Sequence, residues 1–196
     1  ERALYNTVLH SMSEDGKSFF YVNALEVLPK ASHQDSRKYH IKPTRQKWFG
    51  CACCPPNLAR LLSSLGDYCF SENDENIYVH QYIGGEMKSD KAEIKINSNY
   101  IKNGKIDFNI KACKPFKLAL RIPDWCDNFE LNRDYNIIDG YAYIDVNENT
   151  SVSISFNKFS QGKHWKSGCD TRCDSLLHRR SRQRKRPAIT FNFQKQ

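Results

Sequence analysis

The sequence has no apolar run long enough to cross a membrane, and its start, E-R-A-L-Y-N-T-V-L-H, lacks the pattern of a signal peptide. It also has no Met at residue 1, so we expect a chain cut from a longer protein. Hydrophobic residues make up 39% and aromatic residues 12% of the 196 positions. This composition is enough for a buried core, and the length predicts one domain, or one domain and part of a second.

A disulfide framework and a complete metal-binding motif are lacking as well. Three cysteines cluster and five are scattered: Cys51, Cys53, Cys54, Cys69, Cys113, Cys126, Cys169 and Cys173. The adjacent Cys53 and Cys54 are poorly placed to bridge each other. No C-x-x-C partner or H-x-x-x-H pair occurs elsewhere in the chain. The pattern favours reduced thiols, with or without a metal, and reduced thiols favour a cytoplasmic location.

The net charge of +8 is confined to the last part of the chain. Residues 161–196 carry ten Lys and Arg side chains against two Asp, whereas the preceding 160 residues have 20 basic and 20 acidic side chains. Any inference from basicity to nucleic acid therefore concerns this tail alone. Its run S-L-L-H-R-R-S-R-Q-R-K-R-P is typical of a nucleic-acid-binding segment or of a solvated, disordered tail.

The first part of the chain has helical patterns. Residues 1–12 have apolar side chains at helical spacing, and residues 13–17 (S-E-D-G-K) form a turn. After C-C-P-P-N, a leucine stripe predicts a helix that faces the core and stops at Gly66. The stripe consists of Leu58, Leu61, Leu62 and Leu65.

From residue 77 the pattern changes to short runs with period-2 alternation, separated by turns such as Asn103-Gly104 and Asp139-Gly140. The runs are I-Y-V-H-Q-Y-I, A-E-I-K-I, K-I-D-F-N-I, F-K-L-A-L-R-I, Y-A-Y-I-D-V and S-V-S-I-S-F. This spacing predicts an antiparallel β-sandwich, and the alternating Lys residues indicate that one sheet face is wet. The fold class is therefore α+β, with a helical part joined to a β-sandwich near residue 75.

The cluster W-F-G-C-A-C-C-P-P-N has two interpretations. Free cysteines often act as small buried hydrophobes, and we expect this of Cys69, Cys113 and Cys126. In the cluster, however, Cys53 and Cys54 directly precede a helix start, where unpaired N–H groups lower the pKa of a thiol. Zinc would stabilise thiolates further, although two or three clustered cysteines do not complete a tetrahedral site.

Four segments together resemble the β-L-arabinofuranosidase family of glycoside hydrolases, family 127. They are K-S-F-F-Y-V-N-A-L-E-V, W-F-G-C-A-C-C-P-P-N-L-A-R-L-L-S-S-L-G-D-Y, I-Y-V-H-Q-Y-I-G and L-A-L-R-I-P-D-W-C, within residues 1–156. The resemblance implies an (α/α)6 catalytic barrel followed by β-sandwich domains. It implies a Zn2+ ion held by one Glu and three Cys, a cysteine nucleophile in a retaining mechanism, and a separate Glu as acid/base.

By position in C-C-P-P-N, the resemblance implies that Cys53 is the nucleophile and a zinc ligand, and that Cys54 is a zinc ligand. Tyr21 matches a segment that lines the sugar pocket, and a core aromatic is the alternative. Cys51 has no role in the family pattern and is expected to pack. The acid/base Glu and the other two zinc ligands would precede residue 1, so the chain alone is expected to be inactive.

The resemblance divides the chain into the end of the barrel (residues 1–75), a β-sandwich domain (76–160) and the basic tail (161–196). It implies an arabinose-containing oligosaccharide or glycan as partner. We expect no membrane partner, because no apolar run is long enough to cross one, and nucleic acid is the least favoured partner. Two alternatives remain: a carbohydrate-binding β-sandwich module without catalysis, and an Arg-tailed nucleic-acid binder. Zinc content and thiol reactivity distinguish the enzyme from the binding module.

A shift of reading frame would explain the tail. With permissible codons, a one-base shift converts G-C-D-T-R-C-D-S-L-L-H-R-R into a peptide similar to the family motif R-G-P-x-x-Y-C-x-E. We therefore expect a frame slip between about residues 157 and 168, where period-2 patterning is also lost. The nucleotide sequence of the gene tests this, and a shifted frame without a family-like peptide would exclude it.

Overall fold

The computed structural model describes residues 3–24, 27–28, 30, 34–51, 53–157 and 188–190. The chain divides into two compact units, Glu1–Ser64 and Leu65–Gln196. No helix within these described ranges is long and apolar enough to cross a membrane. The boundary near residue 75 stays a prediction, although the first strand of the second unit already begins at Phe70.

The first unit has little regular structure. It contains a π-helical turn at Leu4–Val8, a 3-10 turn at Ser36–Lys38 and one α-helix, α1, at Cys54–Ser63. The helix predicted over residues 1–12 is thus reduced to five residues. The Ser11 side chain donates a hydrogen bond to the Val8 carbonyl, which offers the backbone an alternative to helix continuation.

Helix α1 follows the cysteine cluster, as the sequence predicts, but its leucine stripe is only partly covered. Leu58, Leu61 and Leu62 are half-buried, and Leu65, which follows the helix, is buried. The predicted stop at Gly66 is wrong. Helix α1 ends at Ser63, where the Ser64 N–H bonds back to the Arg60 carbonyl, and Gly66 instead begins a short helix, α2, at Gly66–Cys69.

The second unit consists of two sheets and a short helix, α3, at Tyr100–Asn103. The strands are β1 Phe70–Glu72, β2 Asn76–Val79, β3 Gly85–Lys88, β4 Ala92–Asn99, β5 Lys105–Ala112, β6 Phe116–Arg121, β7 Phe129–Leu131, β8 Asn136–Ile138, β9 Tyr141–Val146, β10 Thr150–Phe156 and β11 Ala188–Thr190. The five-stranded sheet has the order β1-β2-β6-β9-β8, and the six-stranded sheet has the order β11-β3-β4-β5-β10-β7.

Alternating side chains build the core of this unit. Strands β4, β5 and β10 bury every second residue, for example Ile94, Phe108 and Ile154, while their other side chains are largely polar. On the polar side, Lys88 pairs with Glu93 at 2.9 Å. The predicted wet face therefore lies on the six-stranded sheet, because period-2 alternation places all the charged residues of a strand on one side.

The five-stranded sheet differs because it buries side chains on both faces. Ile77, Leu118 and Ile144 align on one face, and Tyr78 and Tyr141 form a second cluster with Ala119. Tyr78 and Tyr141 meet edge to face, with ring centroids 5.7 Å apart. Such pairs add to the stabilisation that area burial provides.

The six alternating runs each contain a strand, so an α+β fold with two antiparallel-rich sheets, compatible with a β-sandwich, is confirmed. One pairing departs from the antiparallel prediction, because β2 runs parallel to β6. Strands β1, β3, β7, β8 and β11 were not predicted. Most of the basic tail lies outside the described residues; within it, Ala188–Thr190 pairs with β3.

Replacement of Gly104 by Ala should destabilise the second unit more than the same change at Gly140. Both glycines have φ of +77°, but a Cβ at Gly104 would clash with the Phe156 carbonyl oxygen, whereas a Cβ at Gly140 meets nothing within 4 Å. We expect G140A to lower the free energy of unfolding by about 1–2 kcal/mol, the cost of the left-handed backbone. G104A should cost about 2 kcal/mol more from the clash.

Urea unfolding of the two variants, followed by tryptophan fluorescence, measures the difference. Equal losses in both variants would show that the contact between residue 104 and the Phe156 carbonyl imposes no constraint. Gly140 is the matched control because it has the same backbone conformation without the neighbour.

Candidate functional site

Backbone pairing within the first unit brings Tyr21 beside the cysteine loop. The Phe19 N–H donates to the Gln46 carbonyl at 2.9 Å, and the Gln46 N–H donates back at 3.0 Å. The Phe49 ring then packs against Phe19 and Tyr21, with centroid separations of 5.3 and 5.5 Å. The segment that leads into the cysteines therefore runs next to the F-F-Y-V-N segment.

The start of α1 fixes the position of the cysteines. Cys53 is the residue before the helix and Cys54 is its first residue. Pro55 and Pro56 follow in the first turn, where the fixed φ of proline suits a helix start. The Asn57 side chain donates to the Cys53 carbonyl at 2.8 Å, and Arg60 in turn donates to the Asn57 side chain. These contacts tie the Cys53 backbone to the helix.

Three thiols and one phenol hydroxyl lie close together at this point. The Cys53 Sγ is 3.4 Å from the Cys51 Sγ, 3.8 Å from the Cys54 Sγ and 3.9 Å from the Tyr21 hydroxyl oxygen. The Cys54 thiol points back to the Tyr21 carbonyl at 3.9 Å. Cys51 and Cys53 are exposed and Cys54 is half-buried. Cys53 is thus an accessible sulfur with two thiols and one phenol hydroxyl within hydrogen-bonding range.

The two adjacent cysteines have opposite pKa shifts. Hydrogen bonds from Cys51, Tyr21 and Cys54 lower the pKa of the Cys53 thiol, because they stabilise its thiolate. Burial and the neighbouring Cys53 raise the pKa of the Cys54 thiol. Hydrogen bonding to Cys53 and Cys51 raises the pKa of Tyr21 to about 12, so its hydroxyl remains a donor at neutral pH.

The cause of the Cys53 shift is different from the one the sequence suggests. Helix-start reasoning attributes it to unpaired N–H groups, but Pro55 and Pro56 carry none. Side-chain hydrogen bonds contribute most to the lowered pKa of Cys53, and the largest contribution is that of Cys51. The exposed Cys51 is therefore not a packing residue, and that prediction is wrong. Of the scattered cysteines, Cys69 is buried as predicted and Cys126 is half-buried, whereas Cys113 is exposed, so the prediction for Cys113 is wrong.

The donor set fits two positions of a zinc site. Thiolates at the usual Zn–S distance of about 2.3 Å lie about 3.8 Å apart in a tetrahedron, which matches the separation of Cys53 Sγ and Cys54 Sγ. Among the described residues, no three His, Cys, Asp or Glu side chains are grouped so that they could hold a metal ion. Two further ligands would have to be supplied from beyond these residues.

Sequence reasoning placed Tyr21, Cys53 and Cys54 in one site, and the structure brings these three together. It did not identify the ring contacts of Tyr21 with Phe49 and with His40, whose centroid is 6.0 Å away. It also missed the role of the Asn57 side chain. Asn57 was part of the recognised motif, but its hydrogen bond to the Cys53 carbonyl could be identified only from the geometry of the helix.

Two family models match consecutive parts of the chain. The GH127 catalytic domain of β-L-arabinofuranosidase matches residues 1–67, and the GH127 middle domain matches residues 76–161. Together they cover most of the chain in the expected order. Because both models describe domains of one family, the chain belongs to glycoside hydrolase family 127.

Individual relatives agree with this assignment. A non-reducing end β-L-arabinofuranosidase of Bifidobacterium longum subsp. longum is 30% identical over 169 residues, which cover 79% of this chain and 26% of the relative. A crystal structure of a GH127 β-L-arabinofuranosidase from Geobacillus stearothermophilus T6 is similar with a TM-score of 0.66 and 41% identity, over 79% of this chain and 27% of that one.

A second solved structure, of a GH127 β-arabinofuranosidase, has a TM-score of 0.63 and 29% identity, over 81% of this chain and 28% of that one. The chain therefore spans about a quarter of the length of each of these relatives.

Alkylation by iodoacetamide should be faster at Cys53 than at Cys54 near neutral pH. The lowered pKa of Cys53 provides thiolate at lower pH, and the raised pKa of Cys54 withholds it. In Tyr21→Phe, one donor to the thiolate is lost, so the pH midpoint of Cys53 alkylation should move upward. Tyr39→Phe is the control, because Tyr39 is an exposed tyrosine of the same unit that contacts His40.

The pH profile is read by mass spectrometry of the labelled cysteine peptide in the full-length protein after a chelator has removed any bound metal. A midpoint in Tyr21→Phe equal to that of Tyr39→Phe would show that the Tyr21 hydroxyl does not act on Cys53.

Proposed function

We propose that this chain carries the nucleophile of a retaining β-L-arabinofuranosidase. The observation that supports it is the accessible Cys53 sulfur, which has Cys51, Cys54 and the Tyr21 hydroxyl as neighbours within hydrogen-bonding range. A thiolate is a strong nucleophile, and these contacts favour the thiolate at Cys53. Family membership provides the reaction class, and the thiol cluster provides the reacting atom.

In the proposed mechanism, the Cys53 thiolate attacks the anomeric carbon of a β-L-arabinofuranoside as the bond to the leaving oxygen breaks. A thioglycosyl bond to Cys53 results, and water then hydrolyses it with a second inversion, so that the configuration is retained. A carboxylic acid beyond this chain protonates the leaving oxygen and later activates the water. Tyr21 lies against the reacting sulfur, and its proposed role is to line the pocket for the sugar.

Cys53 and Cys54 are the proposed ligands of a Zn2+ ion. When bound, zinc would keep both sulfurs ionised at neutral pH, where a free thiol with a pKa of about 8.5 is mostly protonated. This matters most for Cys54, whose pKa is raised by burial and by Cys53. Within the chain itself, the Asn57 side chain holds the Cys53 carbonyl and so fixes the direction of the sulfur.

The first unit is proposed to be the C-terminal end of an (α/α)6 catalytic barrel, and the second a β-sandwich domain that follows it in the sequence. The half-buried leucines of α1 support this assignment, because a barrel helix would cover them with its neighbours. Without the acid/base and the remaining zinc ligands, the chain alone is expected to have no activity. The proposed substrate is an arabinose-containing oligosaccharide or glycan.

Cys53→Ser in the full-length protein should lower kcat for a β-L-arabinofuranoside by about 10⁴-fold or more, because a serine hydroxyl is not ionised at neutral pH. Cys54→Ser should lower both kcat and the amount of bound zinc. Turnover is measured by release of arabinose, and zinc by elemental analysis of the purified protein. Retention of turnover in Cys53→Ser would remove the nucleophile assignment.

Cys113→Ser is the matched control, since Cys113 is an exposed cysteine of the second unit that directly follows β5. It should leave kcat and zinc content unchanged. A protein that binds the glycan but shows no turnover before any substitution would support the carbohydrate-binding module instead. Full zinc content in Cys54→Ser would exclude Cys54 as a ligand while leaving the test of Cys53 unaffected.

A further inference from the structure

The proposed function uses Cys51 only as a hydrogen-bond donor to Cys53, although its thiol is the sulfur nearest to the proposed nucleophile. The Cys51 Sγ lies 3.4 Å from the Cys53 Sγ, closer than the 3.8 Å that separates Cys53 from Cys54. Both Cys51 and Cys53 are exposed. An exposed thiol in contact with a second exposed thiol is accessible to oxidants in water.

The geometry favours a bond from Cys53 to Cys51 over one to Cys54. A disulfide between the adjacent Cys53 and Cys54 would close a small ring around one planar peptide bond, far from relaxed disulfide geometry. Cys54 is also held in the first turn of α1. Cys51, in contrast, lies before the helix and follows Gly50, where a Cβ would meet nothing within 4 Å. The Cys51 side of the pair has room to adjust.

We propose that Cys51 and Cys53 are a site of reversible oxidation, at which a peroxide converts the two thiols to a disulfide that blocks the nucleophile. In the first step, the Cys53 sulfur attacks a peroxide oxygen, the O–O bond breaks and water leaves, giving a sulfenic acid. In the second step, the Cys51 sulfur attacks the Cys53 sulfur, and the S–O bond breaks with loss of water. Two thiols and one hydrogen peroxide thus give one disulfide and two waters.

Cys51 then acts as the resolving cysteine. It traps the sulfenic acid before a second peroxide can oxidise Cys53 to the irreversible sulfinic acid. A dithiol such as dithiothreitol restores both thiols by exchange. The consequence for turnover rests on the proposed function of Cys53, whereas the oxidation itself is measured without any substrate.

The test uses the full-length protein treated with hydrogen peroxide, alkylated and digested with trypsin. Cleavage after Lys47 and Arg60 places Cys51, Cys53 and Cys54 in one peptide, W-F-G-C-A-C-C-P-P-N-L-A-R. We expect this peptide to lose two of its three alkyl groups, with fragment ions that place the remaining one on Cys54. Dithiothreitol before alkylation should restore all three. Cys113, in a separate peptide, is the internal reference for an exposed thiol.

Two outcomes overturn the proposal. One is a disulfide between Cys53 and Cys54, with Cys51 still open to alkylation. The other is a rate of thiol loss at Cys51 and Cys53 that is no higher than the rate at Cys113. In Cys51→Ser, we expect sulfinic acid at Cys53 and a several-fold smaller recovery by dithiothreitol, whereas Cys113→Ser should recover like the wild type. Equal recovery in Cys51→Ser would show that Cys51 does not protect Cys53.

The alkylation experiment and the activity assay test the two proposals independently. If Cys53→Ser keeps its turnover but the bridge forms in the wild type, the nucleophile assignment is lost and the oxidation site remains. If Cys53→Ser is inactive but no bridge forms, the nucleophile assignment stands and the oxidation site is excluded.

Discussion

The reciprocal backbone hydrogen bonds between Phe19 and Gln46 are the contact on which the candidate site depends. They align the F-F-Y-V-N segment with the segment that leads into the cysteine loop. These two segments are separated by more than twenty residues in the sequence. Phe49 then packs against Tyr21, and the Tyr21 hydroxyl lies beside the Cys53 sulfur. Backbone N–H and C=O groups need hydrogen-bond partners, and here the two segments provide them for each other. This pairing holds the site in a defined arrangement although the unit consists mostly of loops.

The two adjacent cysteines of the C-C-P-P-N motif differ in chemistry because their environments differ. Cys53 lies before the helix, is exposed and has donors around its sulfur, so its pKa is lowered. Cys54 is the first helical residue and is half-buried, so its pKa is raised. The motif alone makes the two residues look equivalent. Their difference arises from a change of one position at a helix boundary, which moves a side chain from solvent to the protein surface beneath it.

The sequence predicted those parts of the fold that have a long, regular pattern. Strands such as β4 and β5 have eight residues and clear alternation, and α1 has a proline start and a leucine stripe. The strands that were not predicted have only three or four residues, too few to show a period by themselves, and β3 begins at Gly85, which resembles turn material. Cys51 could not be placed from sequence either, because its contact with Cys53 depends on the path of the loop and not on residue type.

The chain order of the strands has a consequence for how the second unit comes apart. The chain goes from β2 in the five-stranded sheet to β3, β4 and β5 in the other, and then returns to β6, which pairs with β2. It changes sheets again at β7, β8 and β10. Neither sheet is a contiguous piece of sequence, so no single cut releases one sheet intact. The two sheets should therefore melt as one cooperative unit, without an intermediate that retains only one of them.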